Sequence, residues 1–387
     1  MKRRDFSQSA PAGTLEKRLS ELLERLRMES ETYLGYPNNQ LLDHQNLAPF
    51  LDLVINNIGD PEIGNFGLHT CEFEREIIAF FSEIYRLPAA DGWGYVTNGG
   101  TESNLHGLFT GRERFPGAPL LFSEDSHYSV DKAGRLLGLS REVIKSQHSG
   151  EMDYGVLEAT LDRLRPAAVI VNANIGTTMK GAIDNVHRII ETLRRMNINN
   201  YYIHCDAALF GGFLPFLPEA PTVDFSLPID SVAISGHKFI GSGIPCGVLL
   251  ARREHVDRIR RHIDYIGSFD GTISGSRNGL SVLILWQTIQ RQGRNGFAEW
   301  ARQCMDATRY AVGALTKVGW HAWANPWSNT VVIRRPSDAL ARRWHLAVTG
   351  DIAHLIIMPG VSPARIDAFV QELVESRETD PAFEIGK

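Results

Sequence analysis

The chain has 387 residues, of which 43% are hydrophobic and 22% are charged, and this composition excludes a disordered, collagen-like or coiled-coil protein. Its 40 Lys and Arg residues stand against 45 Asp and Glu residues, a net charge of −5, so no basic field favours nucleic acid or an anionic membrane as a partner. The apolar stretches are much shorter than the roughly 20 residues of a membrane span, and no apolar segment follows the charged residues 2–5. We therefore expect a cytoplasmic protein whose partner is a small molecule.

The first predicted element is an amphipathic helix over residues 14–28. Leucines form an apolar stripe on one side of this helix; they are Leu15, Leu19, Leu22, Leu23 and Leu26. Turn-forming residues dominate residues 33–67, which predicts an irregular wrapping segment, and helical periodicity returns over residues 72–85. The leucine stripe predicts that the first helix packs on the body of the protein or on a second subunit.

The middle of the chain alternates short apolar runs with helical patterns. This alternation is typical of a mainly parallel sheet with helices on both faces. The predicted strands cover residues 94–97, 120–122, 143–146, 168–172, 202–205, 231–234 and 247–251. The predicted helices between them cover residues 102–114, 130–137, 156–164 and 186–195. A large α/β domain is therefore expected here.

The last third of the chain changes character. Two helices are predicted over residues 280–292 and 296–318, and shorter strands and helices follow. The strands are predicted over residues 330–333 and 353–358, and the helices over residues 339–346 and 363–375. The pattern predicts three parts: an N-terminal helix and arm (residues 1–60), a large domain (61–279), and a linker helix with a small α+β domain (280–387).

Lys238 has the most informative position among the candidate functional residues. It comes shortly after the predicted strand 231–234, with Ser235 and His237 close by. The carboxyl ends of parallel strands are where α/β sheets bind ligands, and partial burial there favours the neutral amine that attacks a carbonyl carbon. From these residues alone, a solvated loop lysine is an equally good interpretation.

Three other predicted strand ends carry polar residues. Gly100 and Thr101 begin a helix and can donate hydrogen bonds to a phosphate, or they form a plain turn with a cap. Asp206 can pair with a protonated ring nitrogen, or it caps a helix or forms a salt bridge. His127 can stack on a flat ring, or it is a structural histidine. Together with Lys238 these groups are what pyridoxal phosphate requires.

Motifs along most of the chain resemble those of the group II pyridoxal-phosphate-dependent amino acid decarboxylases. Within that family the sequence is most similar to bacterial histidine decarboxylase and to plant serine decarboxylase and its alanine-decarboxylating relatives. The motifs are residues 93–104, 126–130, 174–178, 203–208, 235–239, 245–247, 275–279 and 350–354. The resemblance implies an α/β fold of fold type I, like that of aspartate aminotransferase, in a homodimer whose active sites draw on both subunits.

The resemblance also implies roles for individual residues. Lys238 would bind pyridoxal 5′-phosphate covalently, and Asp206 would pair with the pyridine nitrogen. His127 would stack on the ring, with Ala208 on the opposite face and Thr177 close by. The phosphate would be held by Gly100, Thr101, Ser235 and His237. No metal is implied.

Other positions concern the partner subunit and the substrate. In the family a loop from the neighbouring subunit carries a catalytic tyrosine, and Tyr265 is the matching residue here. Phe66 stands where the serine enzymes have tyrosine, which favours a small apolar substrate, although a packing role fits equally well. His69 lies in the same motif, and Thr349 is placed to contact a polar side chain. Histidine, serine and small aliphatic amino acids all remain open as substrates.

The expected reaction is α-decarboxylation of an L-amino acid to the primary amine and carbon dioxide, which is lyase chemistry. The alternatives are another fold-type-I enzyme, such as an aminotransferase, an aldolase or a decarboxylative aldehyde synthase, and a non-catalytic paralogue. None of the small-domain arginines has the context of an aminotransferase carboxylate clamp; these are Arg334, Arg335, Arg342 and Arg343. The presence of Tyr265 favours formation of the amine over formation of the aldehyde. The presence of Lys238 argues against a non-catalytic protein.

Overall fold

A computed structural model describes residues 13–63 and 67–379. Its α-helices are α1 (Thr14–Glu31), α2 (Cys71–Ile84), α3 (Gly100–Arg114), α4 (Tyr128–Leu136), α5 (Tyr154–Leu164), α6 (Val186–Arg195), α7 (Arg253–Val256), α8 (Gly279–Lys317), α9 (Asp338–Arg343) and α10 (Pro363–Thr379). Its strands are β1 (Asn56–Asn57), β2 (Gly92–Thr97), β3 (Leu120–Ser123), β4 (Arg141–Ile144), β5 (Val169–Asn174), β6 (Tyr201–Asp206), β7 (Ser231–Ser235), β8 (Gly247–Arg252), β9 (Arg261–Ile263), β10 (Ser268–Asp270), β11 (Arg277–Asn278), β12 (Ala322–Trp323), β13 (Thr330–Arg334), β14 (Ala347–Thr349) and β15 (Ile352–Ile356).

A seven-stranded sheet in the order β2-β8-β7-β6-β5-β3-β4 forms the centre of the molecule. The pairs from β4 to β7 are parallel, and β8 runs antiparallel to both of its neighbours. Every residue of β5 is buried, as expected for a strand whose two faces are both covered by helices. The predicted alternation of strands and helices is therefore confirmed, with the sheet mainly but not wholly parallel.

The linker predicted as two helices is assigned as a single element, α8, with a break inside it. Gly293 has φ 55° and ψ −170°, a backbone conformation that glycine adopts at low cost because it lacks a Cβ. The break lies between the two predicted helices. The irregular arm also contains an element that the sequence pattern did not predict, a 3₁₀ helix over Gln45–Asp52.

A second, antiparallel sheet in the order β12-β13-β15-β14 lies near the C-terminus. The arm is attached to it through Leu34, whose N–H donates to the carbonyl of Trp344 and whose carbonyl accepts from the N–H of Ile356. Leu34 is fully buried. The arm therefore contacts the small sheet as well as the large domain.

Helix α1 has no buried residue in the isolated chain, and its five stripe leucines are 40–57% exposed. Its apolar side thus faces solvent in the single subunit. Among the helices of the described residues, none is both long enough and apolar enough to cross a membrane.

The buried His106 of α3 gives the stability of the fold a pH dependence. Its Nε2 lies 2.7 Å from the carbonyl oxygen of Gly271, and burial lowers its pKa to about 4 from the usual 6.5. Because the unfolded chain binds a proton at this histidine near pH 6.5 and the folded chain does not, protonation favours unfolding as the pH falls from 6.5 to 4.

We therefore expect His106→Gln, whose amide can still donate to Gly271, to remove part of this acid sensitivity. Relative to the variant, the original protein should lose up to about 3 kcal/mol of unfolding free energy between pH 7 and pH 4. Denaturant titrations of both proteins at pH 7, 6, 5 and 4 measure the difference. An equal loss in both proteins would contradict the assignment.

Candidate active site

A cavity of about 400 Å³ opens at the carboxyl ends of the central strands. Residues at the ends of β5, β6 and β7 line it, among them Asn174, Asp206 and Ser235. The strand register brings these ends together, since Asn174 pairs with Asp206 and Asp206 with Ala233. This is the edge at which open α/β sheets bind ligands.

Lys238 lines this cavity from the turn that follows β7. The turn, Gly236–Ile240, has π-helical hydrogen bonding, but Lys238 itself has φ −91° and ψ −113°, outside the helical region. Burial lowers the pKa of its amine, and the nearby Asp206 carboxylate partly opposes that change. Both the position and the lowered pKa favour a nucleophilic amine.

Asp206 lies opposite, at the end of β6, and is 6% exposed. Its Oδ2 accepts a hydrogen bond of 2.8 Å from Asn104 Nδ2, and its Oδ1 accepts one of 3.2 Å from the N–H of Ala208. The carboxylate therefore has hydrogen-bond donors on both oxygens. A buried acid held in this way can keep a proton on a basic ring nitrogen.

His127 lies at the N-terminus of α4 and also lines the cavity. Its Nδ1 accepts from the N–H of Ser129 at 3.3 Å and lies 2.7 Å from Ser129 Oγ. Burial lowers the pKa of the imidazole, Asp206 raises it and Lys238 lowers it. The structure thus brings Lys238, Asp206 and His127, which the sequence places far apart, to one cavity.

The predicted phosphate-binding residues meet at one end of the cavity. A Cβ built on Gly100 would lie 2.4 Å from Ser235 Oγ, so only glycine allows the start of α3 and the end of β7 to approach this closely. Gly99 has φ 146°, which also favours glycine. Thr101 and His237 line the same cavity, and His237 Nδ1 lies 2.9 Å from the carbonyl oxygen of Cys246.

Two further predicted cofactor contacts are in place. Ala208 lines the cavity beside Asp206, and its small side chain leaves space there. Thr177 is 3% exposed, and its Oγ1 accepts a 3.0 Å hydrogen bond from the N–H of Ala182. The cavity therefore combines an amine, a carboxylate, an imidazole and a helix N-terminus with hydroxyl groups. This set of groups fits pyridoxal 5′-phosphate.

Two of the residues predicted to contact the substrate, His69 and Thr349, do not line this cavity. Thr349 is exposed at the end of β14, and His69 Nδ1 accepts a 3.4 Å hydrogen bond from the N–H of Cys71 at the start of α2. Neither lines the cavity of its own subunit. Phe66 lies outside the described residues, and Tyr265 is 80% exposed.

Sequence reasoning missed the wall opposite the cofactor-binding residues. The arm contributes Tyr33, Tyr36 and Asn38, and the small sheet contributes Ala347, His354 and Ile356. The two ring nitrogens of His354 face carbonyl oxygens of Met179 at 3.1 Å and of Gly35 at 3.0 Å. His354 therefore joins the small sheet, the arm and the large domain. The sequence marks residues 33–67 as rich in turn formers and residues 350–354 as a motif, but neither pattern indicates a contact between the two segments.

Comparisons with known proteins agree with this geometry. A family model described as "Pyridoxal-dependent decarboxylase conserved domain" matches residues 69–320. Serine decarboxylase 2 of Oryza sativa subsp. japonica is 43% identical over 370 residues, 94% of this chain and 79% of the relative. Histidine decarboxylase of Vibrio campbellii is 43% identical over 357 residues, 91% of this chain and 92% of the relative. The crystal structure of L-methionine decarboxylase from Streptomyces sp. 590 with L-methionine methyl ester is 27% identical, with a TM-score of 0.86 over 97% of this chain and 96% of that one.

Proposed function

Because the chain belongs to the pyridoxal-dependent decarboxylase family, we propose that it converts a neutral L-amino acid to the primary amine and carbon dioxide in the cavity lined by Lys238, Asp206 and His127. The resemblance, the fold type I architecture, the lyase activity and the cofactor predicted from the sequence are confirmed. The substrate and the individual residue roles are our proposal. The presence of the amine and the carboxylate in one cavity is the observation that carries it.

Each residue has a distinct task in this proposal. Pyridoxal 5′-phosphate, when bound, supplies a ring that accepts the electrons of the bond to the departing carboxylate. Lys238 would hold this cofactor covalently until the amino group of the substrate takes its place. Asp206 keeps a proton on the ring nitrogen. His127 and Ala208 would hold the two faces of the ring, with Thr177 close by. The residues that bind the phosphate are Gly100, Thr101, Ser235 and His237.

The charges of the cavity support a neutral substrate. Among the described residues that line it, Asp206 and Lys238 are the acidic and basic side chains other than histidine, and both are assigned to the cofactor. A charged substrate side chain would therefore lose its hydration without gaining an ionic partner from this chain. Histidine in its neutral form, serine and small aliphatic amino acids meet this condition.

A screen of the twenty L-amino acids for carbon dioxide release tests this proposal. We expect a neutral substrate from this group, with charged amino acids at least about 100-fold lower in kcat/KM. If Phe66 makes the pocket apolar, alanine or valine will react faster than serine, and Phe66→Tyr will shift the ratio towards serine. A cofactor-loaded protein that releases carbon dioxide from none of them would refute the function.

No arginine is among the described residues that line the cavity, and this supports decarboxylation over transamination. Arg334, Arg335, Arg342 and Arg343 are not among the described residues that line it. An aminotransferase holds the carboxylate group of its substrate, whereas a decarboxylase must let it leave as neutral carbon dioxide. We therefore keep amine formation as the proposed outcome.

We also propose that the protein is a homodimer with shared active sites. Tyr265 is an exposed residue of the 3₁₀ helix Asp264–Ile266 and does not line the cavity of its own subunit. The leucine stripe of α1 is exposed in the single subunit, although burying large apolar side chains stabilises a protein. A second copy would cover this stripe and would bring Tyr265 to the cavity of its partner. There the hydroxyl would donate a proton to the α-carbon that has lost carbon dioxide, which gives the amine.

Tyr265→Phe is expected to divert product from the amine to the aldehyde, with dissolved oxygen as the oxidant. Removing the hydroxyl removes the proton donor but leaves the ring in place. Amine, aldehyde and oxygen consumption are measured together, and Tyr310→Phe, an exposed tyrosine bonded to Asp367 on the surface, is the control. An unchanged yield of amine would exclude Tyr265 as the donor.

Mixed dimers test whether Tyr265 acts in the partner's cavity. Lys238→Ala and Tyr265→Phe subunits, combined in one dimer, leave one site with both original residues only if Tyr265 reaches across the interface. Amine formation should then return in the mixed dimer. No return of amine formation would contradict the shared site.

We also propose the three-part domain division predicted from the sequence and a cytoplasmic location. The domain division at residues 60 and 279 is supported by the large sheet, whose strands span β2 to β8, and by the small sheet, whose strands span β12 to β15. The net charge of −5 supports an amino acid substrate and no nucleic acid or membrane partner.

A further inference from the structure

A network of buried hydrogen bonds connects the two sides of the cavity through the side-chain amide of Asn104, and we refer to it as the Asn104 network. Its members are Tyr202, Ser231, His204, Asn104, Asp206, Ser129 and His127. Apart from His127, all are at most 6% exposed. Because these side chains expose little or no surface to water, their donors and acceptors are satisfied mainly by protein groups.

The Asp206 carboxylate fixes the orientation of the amide. Asn104 Nδ2 donates to Asp206 Oδ2 at 2.8 Å and lies 3.2 Å from Ser129 Oγ. The reverse orientation would place the amide oxygen against a carboxylate oxygen, and two acceptors repel each other. Asn104 Oδ1 therefore faces His204 Nε2, at 3.0 Å, and this nitrogen must carry a proton.

The donor and acceptor of each hydrogen bond beyond Asn104, on the side of His204, follow from this orientation. Burial lowers the pKa of His204 to about 4, so its ring is neutral near pH 7 and its Nδ1 has a free lone pair. This nitrogen accepts from the hydroxyl of Ser231 at 2.8 Å, and Ser231 Oγ accepts from the hydroxyl of Tyr202 at 3.0 Å. His204 is thus locked as a donor to Asn104.

On the cavity side, the same reasoning determines which ring nitrogen of His127 carries the proton. Ser129 Oγ accepts from Asn104, so its own proton is free to donate to His127 Nδ1, 2.7 Å away. The N–H of Ser129 also points at this nitrogen, at 3.3 Å. His127 Nδ1 is therefore an acceptor, and the proton of the neutral ring lies on Nε2.

We propose that Asn104 is a positioning residue that holds the Asp206 carboxylate and, through Ser129, sets the tautomer of His127. One amide thus couples the group assigned to the ring nitrogen of the cofactor with the group assigned to its face. The inference rests on the proposed function for its effect on turnover, but not for the hydrogen bonds themselves.

The first experiment therefore needs no activity. In the cofactor-free protein with ¹⁵N-labelled histidine, and with His127→Asn to assign the signals, the nitrogen shifts at pH 7 should show His127 protonated on Nε2 alone. Asn104→Leu should add the Nδ1-protonated form, because Ser129 Oγ can then accept instead. A proton on Nδ1 in the original protein would overturn the proposal.

The second experiment measures turnover. Asn104→Leu should lower kcat by about 10- to 100-fold while KM changes by less than about threefold, because a hydrogen bond to a buried charge is lost. Thr308→Val, which removes a buried hydroxyl of α8 that donates to the carbonyl of Cys304 outside the network, is the control. Equal effects of the two variants would reduce Asn104 to a structural role and overturn the proposal.

Two conservative variants keep the test valid if Asn104→Leu does not fold. Asn104→Asp has the same size but places a second carboxylate against that of Asp206. The other titratable groups close to this pair are His127, His204 and Lys238. Activity of this variant should recover as the pH falls, because protonation of one carboxyl restores a donor between the two. His204→Gln can still donate to Asn104 and should keep the His127 tautomer, whereas His204→Leu should not. An unshifted pH profile, or equal behaviour of both His204 variants, would contradict the proposal. If the original protein has no decarboxylase activity, the proposed function fails, but the NMR measurement of the His127 tautomer still tests the role of Asn104.

Discussion

Replacing Lys238 with alanine is expected to abolish carbon dioxide release, by roughly 10³-fold or more, and to leave the fold intact. Lys238 is the single basic side chain, apart from histidines, among the described residues that line the cavity, so no other amine there can bind the cofactor covalently. Its backbone already departs from helical geometry, and alanine is expected to be accommodated in the same turn. Release of carbon dioxide at the original rate would refute the assignment.

Covalent attachment is measured separately from turnover. Borohydride reduction of the cofactor-loaded protein should bleach its yellow colour and attach the cofactor permanently to the peptide that contains Lys238, as read by mass spectrometry. Lys238→Ala should remain unlabelled. Lys145→Ala, which removes an exposed lysine paired with Glu124, is the control and should behave like the original protein.

Replacing Asp206 with asparagine is expected to lower kcat by about 10²- to 10³-fold. Removing one partner of a buried charge pair costs roughly 3–5 kcal/mol, and a neutral amide does not hold a proton on the ring nitrogen. The substituted side chain has the same size and retains an oxygen that accepts from Asn104, so the fold should persist. The variant should therefore lose turnover even when its rate is divided by the amount of cofactor that it binds.

Asp230→Asn is the matched control for this variant. Asp230 is 7% exposed, close to the 6% of Asp206, and its carboxylate accepts from the N–H of Ile203 and lies 2.7 Å from His255 Nε2, away from the cavity. This change should lower stability but not turnover per folded, cofactor-loaded protein. If both variants lose turnover equally, Asp206 has no special role at the ring nitrogen.

The Asn104 network also predicts which of two variants, Asp206→Asn and Asn104→Leu, loses more turnover. Asp206→Asn keeps an acceptor for the amide of Asn104 but removes the charge and the acceptor for the N–H of Ala208, whereas Asn104→Leu keeps the charge and removes one of its two donors. The first change should therefore reduce turnover more than the second. The order of the two effects can be measured in one set of assays.

The sequence by itself determined the alternation of strands and helices, because periodicity and apolar runs depend on neighbouring residues. It also identified Lys238, Asp206 and His127, since each follows directly or closely on a buried strand and the carboxyl ends of parallel strands meet at one edge. The parallel part of the sheet then made a common cavity the expected result.

Only the tertiary structure decided which residues close the cavity and which support its charged groups. His354 contacts Gly35 across 319 residues, and Asn104 contacts Asp206 across 102. Such pairs leave no local pattern, because the distance between two side chains in different elements depends on how those elements pack. For the same reason no sequence pattern indicates that Ala347 and Ile356 line the cavity, whereas Thr349 is exposed at the end of β14. A contact of Thr349 with the substrate stays a prediction.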